Sequence, residues 1–247
     1  MLSICTSARN RSRLLGLSLA SMRRCHYGDT EVIVVDDGST DSTPRLLARE
    51  SWVKAHRIER AGGYRADPAG VFNTMLGLAA GEVLLQQSAE VLHLTPVARQ
   101  LREAVEPGVA AFATVISGPE HAIGRVASAI QRGWTQDSEE WSGLGGPGRI
   151  INPHGRRPDG GLGTVAPPVG IEIAGKQFEV YSGRARPAPL FFCGAILRED
   201  WRRTGGYSEN VPHGASDLHL AVKMMRLGFR FRFVGGAIAY HVEHGKT

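Results

Sequence analysis

Two aspartates stand side by side at the end of an apolar run, in Val34-Val35-Asp36-Asp37-Gly38-Ser39-Thr40-Asp41. A carboxylate there can accept hydrogen bonds from a uracil N3–H or from ribose hydroxyls, and the glycine lets a main chain approach closely. The same residues also make a capped turn ahead of a helix, with Asp and Ser satisfying its amides. Both readings stay open on these residues alone. Upstream, Thr6-Ser7-Ala8-Arg9-Asn10-Arg11 ends in arginines, whose planar fork suits the phosphate of a nucleotide or of a nucleic acid. Three other places carry reactive side chains. They are Glu90 in Gln86-Gln87-Ser88-Ala89-Glu90, Asp217 in Ser216-Asp217-Leu218-His219, and the two histidines of Tyr240-His241-Val242-Glu243-His244. Singly, each has a plain structural account: a strand-end carboxylate, an acid complementing a helix N-terminus, and surface histidines.

The elements that must position these groups follow from periodicity. Leu2 to Ser7 reads as a buried strand, then a helix spans about Arg13 to Met22 on Leu14, Leu15, Leu17 and Leu19. Glu31 to Val35 is a second strand, apolar throughout as a parallel strand covered on both faces should be. A helix follows from about Ser42 to Arg49. Ala69 to Ala79 is a third helix, with Pro68 before it and Gly81 closing it. Val83 to Gln86 is a third buried strand, and Thr95-Pro96 opens a helix through about Val105. The alternation predicts a doubly wound parallel α/β sheet flanked by helices. Trp134 to Pro189 is rich in Gly, Pro and Arg, and its one periodic feature is a hairpin over Ile171 to Val180 turning at Gly175-Lys176. So long an irregular stretch inside a compact domain is usually functional. Leu190 to Leu197 then reads as a strand and Asp217 to Arg226 as a helix. Phe229 to Val234 and Ala237 to Tyr240 read as two short final strands.

With 247 residues and 42% hydrophobic content, the chain can bury one large core. Cys5, Cys25 and Cys193 are odd in number and lack metal-type spacing, which fits a reduced, cytoplasmic setting. The opening residues lack the charge and apolar run of a secretion signal, and apolar runs are strand-sized, so a soluble chain without a membrane partner is expected. A net charge of +5 and a pI near 9.4 fit either a solvated basic surface or one facing a polyanion.

Val-Val-Asp-Asp-Gly-Ser-Thr-Asp resembles the signature of family 2 glycosyltransferases of the GT-A type, and Thr6 to Arg11 resembles that family's Thr-Tyr-Asn-Arg loop. The resemblance implies a GT-A fold, a single doubly wound mixed sheet, mainly parallel. Residues 1–105 would form the donor half and 106–247 the acceptor and catalytic half of one merged domain. It places Asp37, with Asp36, Thr6, Arg9, Asn10, Arg11 and Ser88, around the nucleoside diphosphate sugar. The family's Asp-x-Asp falls at Ser88-Ala89-Glu90, and the Gln86-Gln87-Ser88-Ala89-Glu90 run is similar to a Gln-Asn-Pro-Glu variant found in some members. Glu90 would then hold a divalent cation, Mn²⁺ or Mg²⁺, with His241 and with His244 as a spare. The segment Trp201 to Glu209 and the helix start at Ser216-Asp217 resemble the acceptor half, where Asp217 would be the general base.

The resemblance implies inverting transfer from a nucleoside diphosphate donor, a UDP-sugar, to a hydroxyl. It leaves 110–189 unmatched, and with it the acceptor. Arg149, His154, Arg156, Arg157, Arg184 and Arg186 beside Trp134, Trp141 and Tyr181 suit a polyanion with an extruded base, such as DNA bearing a hydroxymethylated pyrimidine. Trp134, Trp141, Arg156 and Arg157 are the acceptor candidates, and the small size and the Gln-Gln-Ser-Ala-Glu run look like phage-encoded enzymes of that kind. A glycan, polysaccharide or natural-product acceptor is the alternative. Two other classes stand beside transfer. A nucleotidyltransferase would open with a Gly-rich loop, and Thr6 to Arg11 contains no glycine. A nucleotide-sugar-binding protein without activity would explain Ser88 and Ser216 at normally acidic positions.

Overall fold

The computed structural model describes residues 1–25, 28–59, 68–132, 149–152, 162–163, 168–173, 176–181, 193–209 and 216–244. The first half follows the expected alternation. Strand β1 (Leu2–Ala8) leads to helix α1 (Ser12–Arg24), β2 (Thr30–Asp36) to α2 (Thr43–Arg49), β3 (Val53–Arg57) to α3 (Ala69–Leu78), and then β4 (Val83–Ser88) follows. β2 and β4 flank β1, and β3 lies outside β2, all parallel. The second half supplies β5 (Val91–His93), α4 (Val97–Ala104), β6 (Val109–Gly118) and α5 (Ile123–Gln131). It continues with β7 (Arg149–Asn152), β8 (Leu162–Gly163), β9 (Pro168–Ile173), β10 (Lys176–Tyr181), β11 (Cys193–Leu197), α6 (Arg198–Thr204), α7 (Ser216–Arg226) and β12 (Arg230–Val242).

Among the described residues the main sheet has ten strands, ordered β3-β2-β1-β4-β11-β6-β12-β5, with β7 on β6 and β8 on β12. β11 runs antiparallel between β4 and β6, whereas β12 is parallel to β6. The chain therefore forms the mixed, mainly parallel, doubly wound sheet of the GT-A class. Chain order reverses direction at β1 and β4, and in such sheets ligands gather beyond the carboxyl ends of the strands at that switch.

Alternation along β1 divides the core. Leu2, Ile4 and Ala8 pack with Leu15, Leu19 and Met22 of α1 and Val97 and Leu101 of α4. Cys5 faces the other layer, with Met75 of α3, Trp201 of α6 and Leu220 and Met224 of α7.

Several elements differ from the sequence expectation. β3 was not anticipated, because after Val53 its residues are exposed and an edge strand lacks the apolar run that marks a buried one. Nor was β6, although all ten of its residues are buried. Its small residues, Ala110, Ala111, Ala113 and Thr114, show no period, and only the sheet around them identifies the strand. α5 and α6 were likewise not anticipated. The two final strands are one, β12, whose register against β6 shifts between Val234 and Ile238. Gly235-Gly236 lies in that shift, as glycine in a strand interior often marks a bulge. The hairpin forms as β9 and β10, but Lys176 already pairs with Ile173 in the ladder, so it is not a turn residue.

Candidate active site

The loop after β1 bonds to two groups of candidate residues at once. Asn10, the one described non-glycine residue at positive φ (+50°), donates its amide to Ser39 Oγ (2.9 Å). Its side-chain Oδ1 accepts the amides of Thr40 (2.8 Å) and Asp41 (3.2 Å). Asparagine tolerates this left-handed geometry better than most residues. On one side of it Arg9 Nη1 donates to the Asp37 carbonyl (3.2 Å); on the other, Arg11 Nε donates to Glu90 Oε1 (2.7 Å).

At the Asp36–Asp37 turn the two aspartates have different surroundings. Asp36 is buried, accepts the Ser39 amide (2.9 Å) and pairs with Arg57 (2.5 Å), so it shapes the turn. Asp37 follows, its amide bonded to the Ala8 carbonyl (2.9 Å), with Gly38 at φ +67° turning the chain away. The capped-turn account is therefore true of Asp36, and Asp37 next to it is the residue that the resemblance assigns to the nucleoside. Thr6 departs from expectation. It is 0% exposed, and alternation puts it on the face of Ile4 and Ala8 beneath α1 rather than at the surface. Ser88 ends β4 opposite Ser7 of β1, at the switch point.

At the other end, the Val242 amide bonds the Glu90 carbonyl (3.0 Å), which seats β12 against the turn after β4. Glu90, His241 and His244 thereby gather ligand atoms within 4.8 Å of one another. Glu90 Oε1 lies 3.2 Å from His244 Nε2, and Arg11 Nη2 lies 3.0 Å from His244 Nδ1. Guanidinium can only donate, so His244 accepts at Nδ1 and presents its Nε2 hydrogen to Glu90. Ser117, at the end of β6, lies 3.2 Å from His241 Nδ1 and 3.3 Å from Glu243 Oε1. A hydroxyl that donates to the carboxylate and accepts from Nδ1 leaves His241 Nε2 bare, the state a metal ligand needs. One carboxylate and two imidazoles suit a transition ion better than Mg²⁺, which prefers oxygen alone; Mn²⁺, though hard, accepts imidazole more readily than Mg²⁺ does. His244, the spare on sequence grounds, belongs to this cluster as closely as His241.

Asp217 sits in the first turn of α7, half-buried, and accepts a hydrogen bond from the Tyr207 hydroxyl (3.2 Å). The same hydroxyl lies 3.0 Å from Gln86 Oε1 in β4. Sequence reading missed Ser117, Gln86 and Tyr207, since isolated polar residues within strands and loops carry no spacing signal. Tyr207 lay within the Gly-Gly-aromatic stretch but was read only as part of a motif. The acceptor candidates Trp134, Trp141, Arg156 and Arg157 lie outside the described residues, as do His154, Arg184 and Arg186.

This arrangement agrees with sequence comparison. Residues 3–118 match the profile of glycosyl transferase family 2. That segment is a family 2 glycosyltransferase domain. The match spans β1 to the end of β6 and so contains the aspartate pair, Glu90 and Ser117. A beta-monoglucosyldiacylglycerol synthase from Nostoc sp. (strain PCC 7120 / SAG 25.82 / UTEX 2576) is 27% identical over 106 residues, covering 38% of this chain and 23% of the relative. Two solved structures resemble the whole fold. One is the mannosyltransferase PcManGT from Pyrobaculum calidifontis in complex with GDP-Man and Mn²⁺ (TM-score 0.57, 19% identity, 99% of this chain and 57% of that one). The other is S. aureus TarS 1-349 in complex with UDP-GlcNAc (TM-score 0.60, 12% identity, 100% and 59%). The chain thus spans under two thirds of the length of each. Among the described residues no helix is long and apolar enough to cross a membrane.

Proposed function

We propose that this family 2-type glycosyltransferase moves a sugar, with inversion, from a nucleoside diphosphate donor to an acceptor hydroxyl. The observation that carries the proposal is the loop 9–11, which touches the Asp37 turn at one end and the Glu90–His241–His244 cluster at the other. A nucleoside diphosphate has the matching order of parts, a base and ribose at one end and a charged diphosphate at the other. Asp37 accepts from the base or ribose, with Arg9 fixing the main chain behind it. Glu90, His241 and His244 would hold a divalent cation, whose charge would offset that of a departing diphosphate. Asp217 takes the acceptor proton as the acceptor oxygen bonds to the anomeric carbon. The bond from that carbon to the diphosphate oxygen breaks on the opposite face, which inverts the centre.

PcManGT is complexed with GDP-Man and TarS with UDP-GlcNAc, so both nucleotides belong in the test panel. UDP is our first choice because an aspartate suits the uracil N3–H. Asp217→Asn is expected to keep donor binding while cutting transfer or donor hydrolysis by roughly 10²-fold or more. Turnover near the unsubstituted rate would remove Asp217 as the base. Donor binding without turnover of any nucleotide sugar would instead favour an inactive binding protein, the reading that Ser88 and Ser216 support.

For the acceptor, the net charge of +5 and the arginines of 149–186 favour a polyanion, and a hydroxymethylated pyrimidine in DNA is the acceptor to test first. Glycan, polysaccharide and lipid-linked hydroxyls are the alternative, to which the name of the Nostoc relative points. Duplex binding that falls steeply with salt, with label transferred only to hydroxymethylated DNA, supports the first. Absent or salt-insensitive binding returns the acceptor to the second.

A further inference from the structure

The Tyr207 phenol joins the donor strand to the proposed base. Its hydroxyl lies 3.0 Å from Gln86 in β4 and 3.2 Å from Asp217 in α7, while the residue is only 3% exposed. Gln86 and Ser88 share one face of β4, so the hydroxyl rests against the strand that carries the donor site.

Everything around Tyr207 fixes where that hydroxyl sits. Its amide donates to Asn73 Oδ1 (2.8 Å), and Asn73 Nδ2 donates to its carbonyl (2.9 Å), a reciprocal clamp from α3. Lys223 of α7 donates to the preceding carbonyl of Gly206 (2.6 Å). Gly206 itself has φ +72°, and a Cβ there would lie 2.7 Å from Asn73 Oδ1, so only glycine permits the clamp. The ring is wedged between Phe72 (centroids 5.0 Å) and Trp201 (5.5 Å). Burial, with the Asp217 charge adding to it, holds the phenol well above its ordinary pKa, so it remains a proton donor. One phenolic proton cannot serve two acceptors together. Of the two acceptors it faces, Gln86 Oε1 and Asp217 Oδ1, the carboxylate is the stronger, and Gln86 bounds the hydroxyl from the other side.

We propose that Tyr207 is a positioning residue for sugar transfer. The clamped phenol, braced by Gln86, holds Oδ1 of Asp217 and so fixes the direction in which the carboxylate faces the acceptor proton. The proposal rests on the reading of Asp217 as base. A purely structural tyrosine would need the ring and not this pair of polar partners.

The test is Tyr207→Phe, alone and with Asp217→Asn, read by hydrolysis of radiolabelled UDP-glucose in Mn²⁺. Phenylalanine keeps the ring between Phe72 and Trp201 and removes one oxygen, so the fold survives; the melting temperature checks this. Loss of a hydrogen bond to a charged group should lower kcat roughly tenfold or more with the donor KM unchanged. In the Asp217→Asn background the same change should cost less than about twofold, because Tyr207 acts through the carboxylate. An unchanged kcat, a loss confined to KM, or equal losses in both backgrounds would overturn the proposal. Asp217→Asn near full activity would sink the base reading and this inference together. A slow Asp217→Asn beside a fully active Tyr207→Phe sinks the inference alone. If UDP-glucose is not hydrolysed, the contact is read by NMR from the Asp217 carboxyl carbon, assigned by its loss in Asp217→Asn. Tyr207→Phe must move that signal, and an unmoved signal overturns the proposal.

Discussion

A divalent cation held at Oε1 of Glu90 would compete with Arg11 for that oxygen. The pair is 2.7 Å apart with side chains 13% and 11% exposed, and the same guanidinium holds His244 in the tautomer that keeps Nε2 protonated. An ion taking that oxygen would displace Arg11, whose fork would then be available to a diphosphate. Arg11→Gln should therefore bind Mn²⁺ alone roughly tenfold more tightly, because a mostly buried carboxylate that has lost its arginine gains most from a new cation. Calorimetry without nucleotide measures this, and equal or weaker binding refutes it. Glu90→Gln should go the other way, lowering Mn²⁺-assisted UDP binding by about tenfold or more, since an amide is a poorer ligand than a carboxylate. Equal binding in the two proteins would remove Glu90 from the metal site. At this scale the sequence was informative about identity and silent about contacts. It named both aspartates, yet only Arg57, supplied by β3, shows which one is tied into the turn.

β4, β5 and α1 are joined by a buried polar network that no spacing announces. His93 Nε2 lies 2.6 Å from Gln87 Oε1, Gln87 Nε2 reaches Ser18 Oγ (3.1 Å), and Ser21 Oγ accepts the His93 amide (2.9 Å). Burial pushes His93 down from 6.5 to about 3, so it is neutral in the fold. Its unfolded form takes up a proton first. Its contribution to stability is thus whole above pH 6.5 and declines as pH falls from there through about 3. Burial also acts on Glu31, raising its pKa, but hydrogen bonds from Lys54, Ser3 and Ala80 outweigh that and hold it near 2. Its contribution is lost only between about 4.5 and 2. Denaturation at pH 7 and pH 5 isolates the histidine. The protein should be less stable at pH 5, and His93→Gln should show a smaller difference between the two; equal differences would refute the assignment. Gly81 makes the tightest approach of the same layer, where a Cβ would lie 2.7 Å from the Ser3 amide nitrogen. Gly81→Ala should cost about 2 kcal/mol or more by chemical denaturation, since the obstruction is main chain.

For the whole molecule, donor binding should appear as stability. A nucleotide sugar at a hundred times its Kd adds about 2.7 kcal/mol by mass action, which for a chain of this size raises the melting temperature by roughly 5–10 °C. A panel of UDP- and GDP-sugars, with and without Mn²⁺, reads this directly. A shift equal with and without the ion would separate donor binding from the Glu90 cluster. Residue order alone was enough for the family, for the first four parallel-sheet elements and for Asp37, Glu90 and Asp217 as candidates, because periodicity and strand-end motifs are local. It did not reach β6, since a strand of small residues buried on every side has no amphipathic period to show. It did not reach the grouping of Glu90 with His241 and His244, about 150 residues apart, which depends on the Val242–Glu90 main-chain bond at the far end of β12. Nor did it reach Tyr207 between Gln86 and Asp217, where three separate elements meet. Local chemistry is written along the chain, whereas the partner of each side chain is chosen by the register and packing of strands distant in sequence.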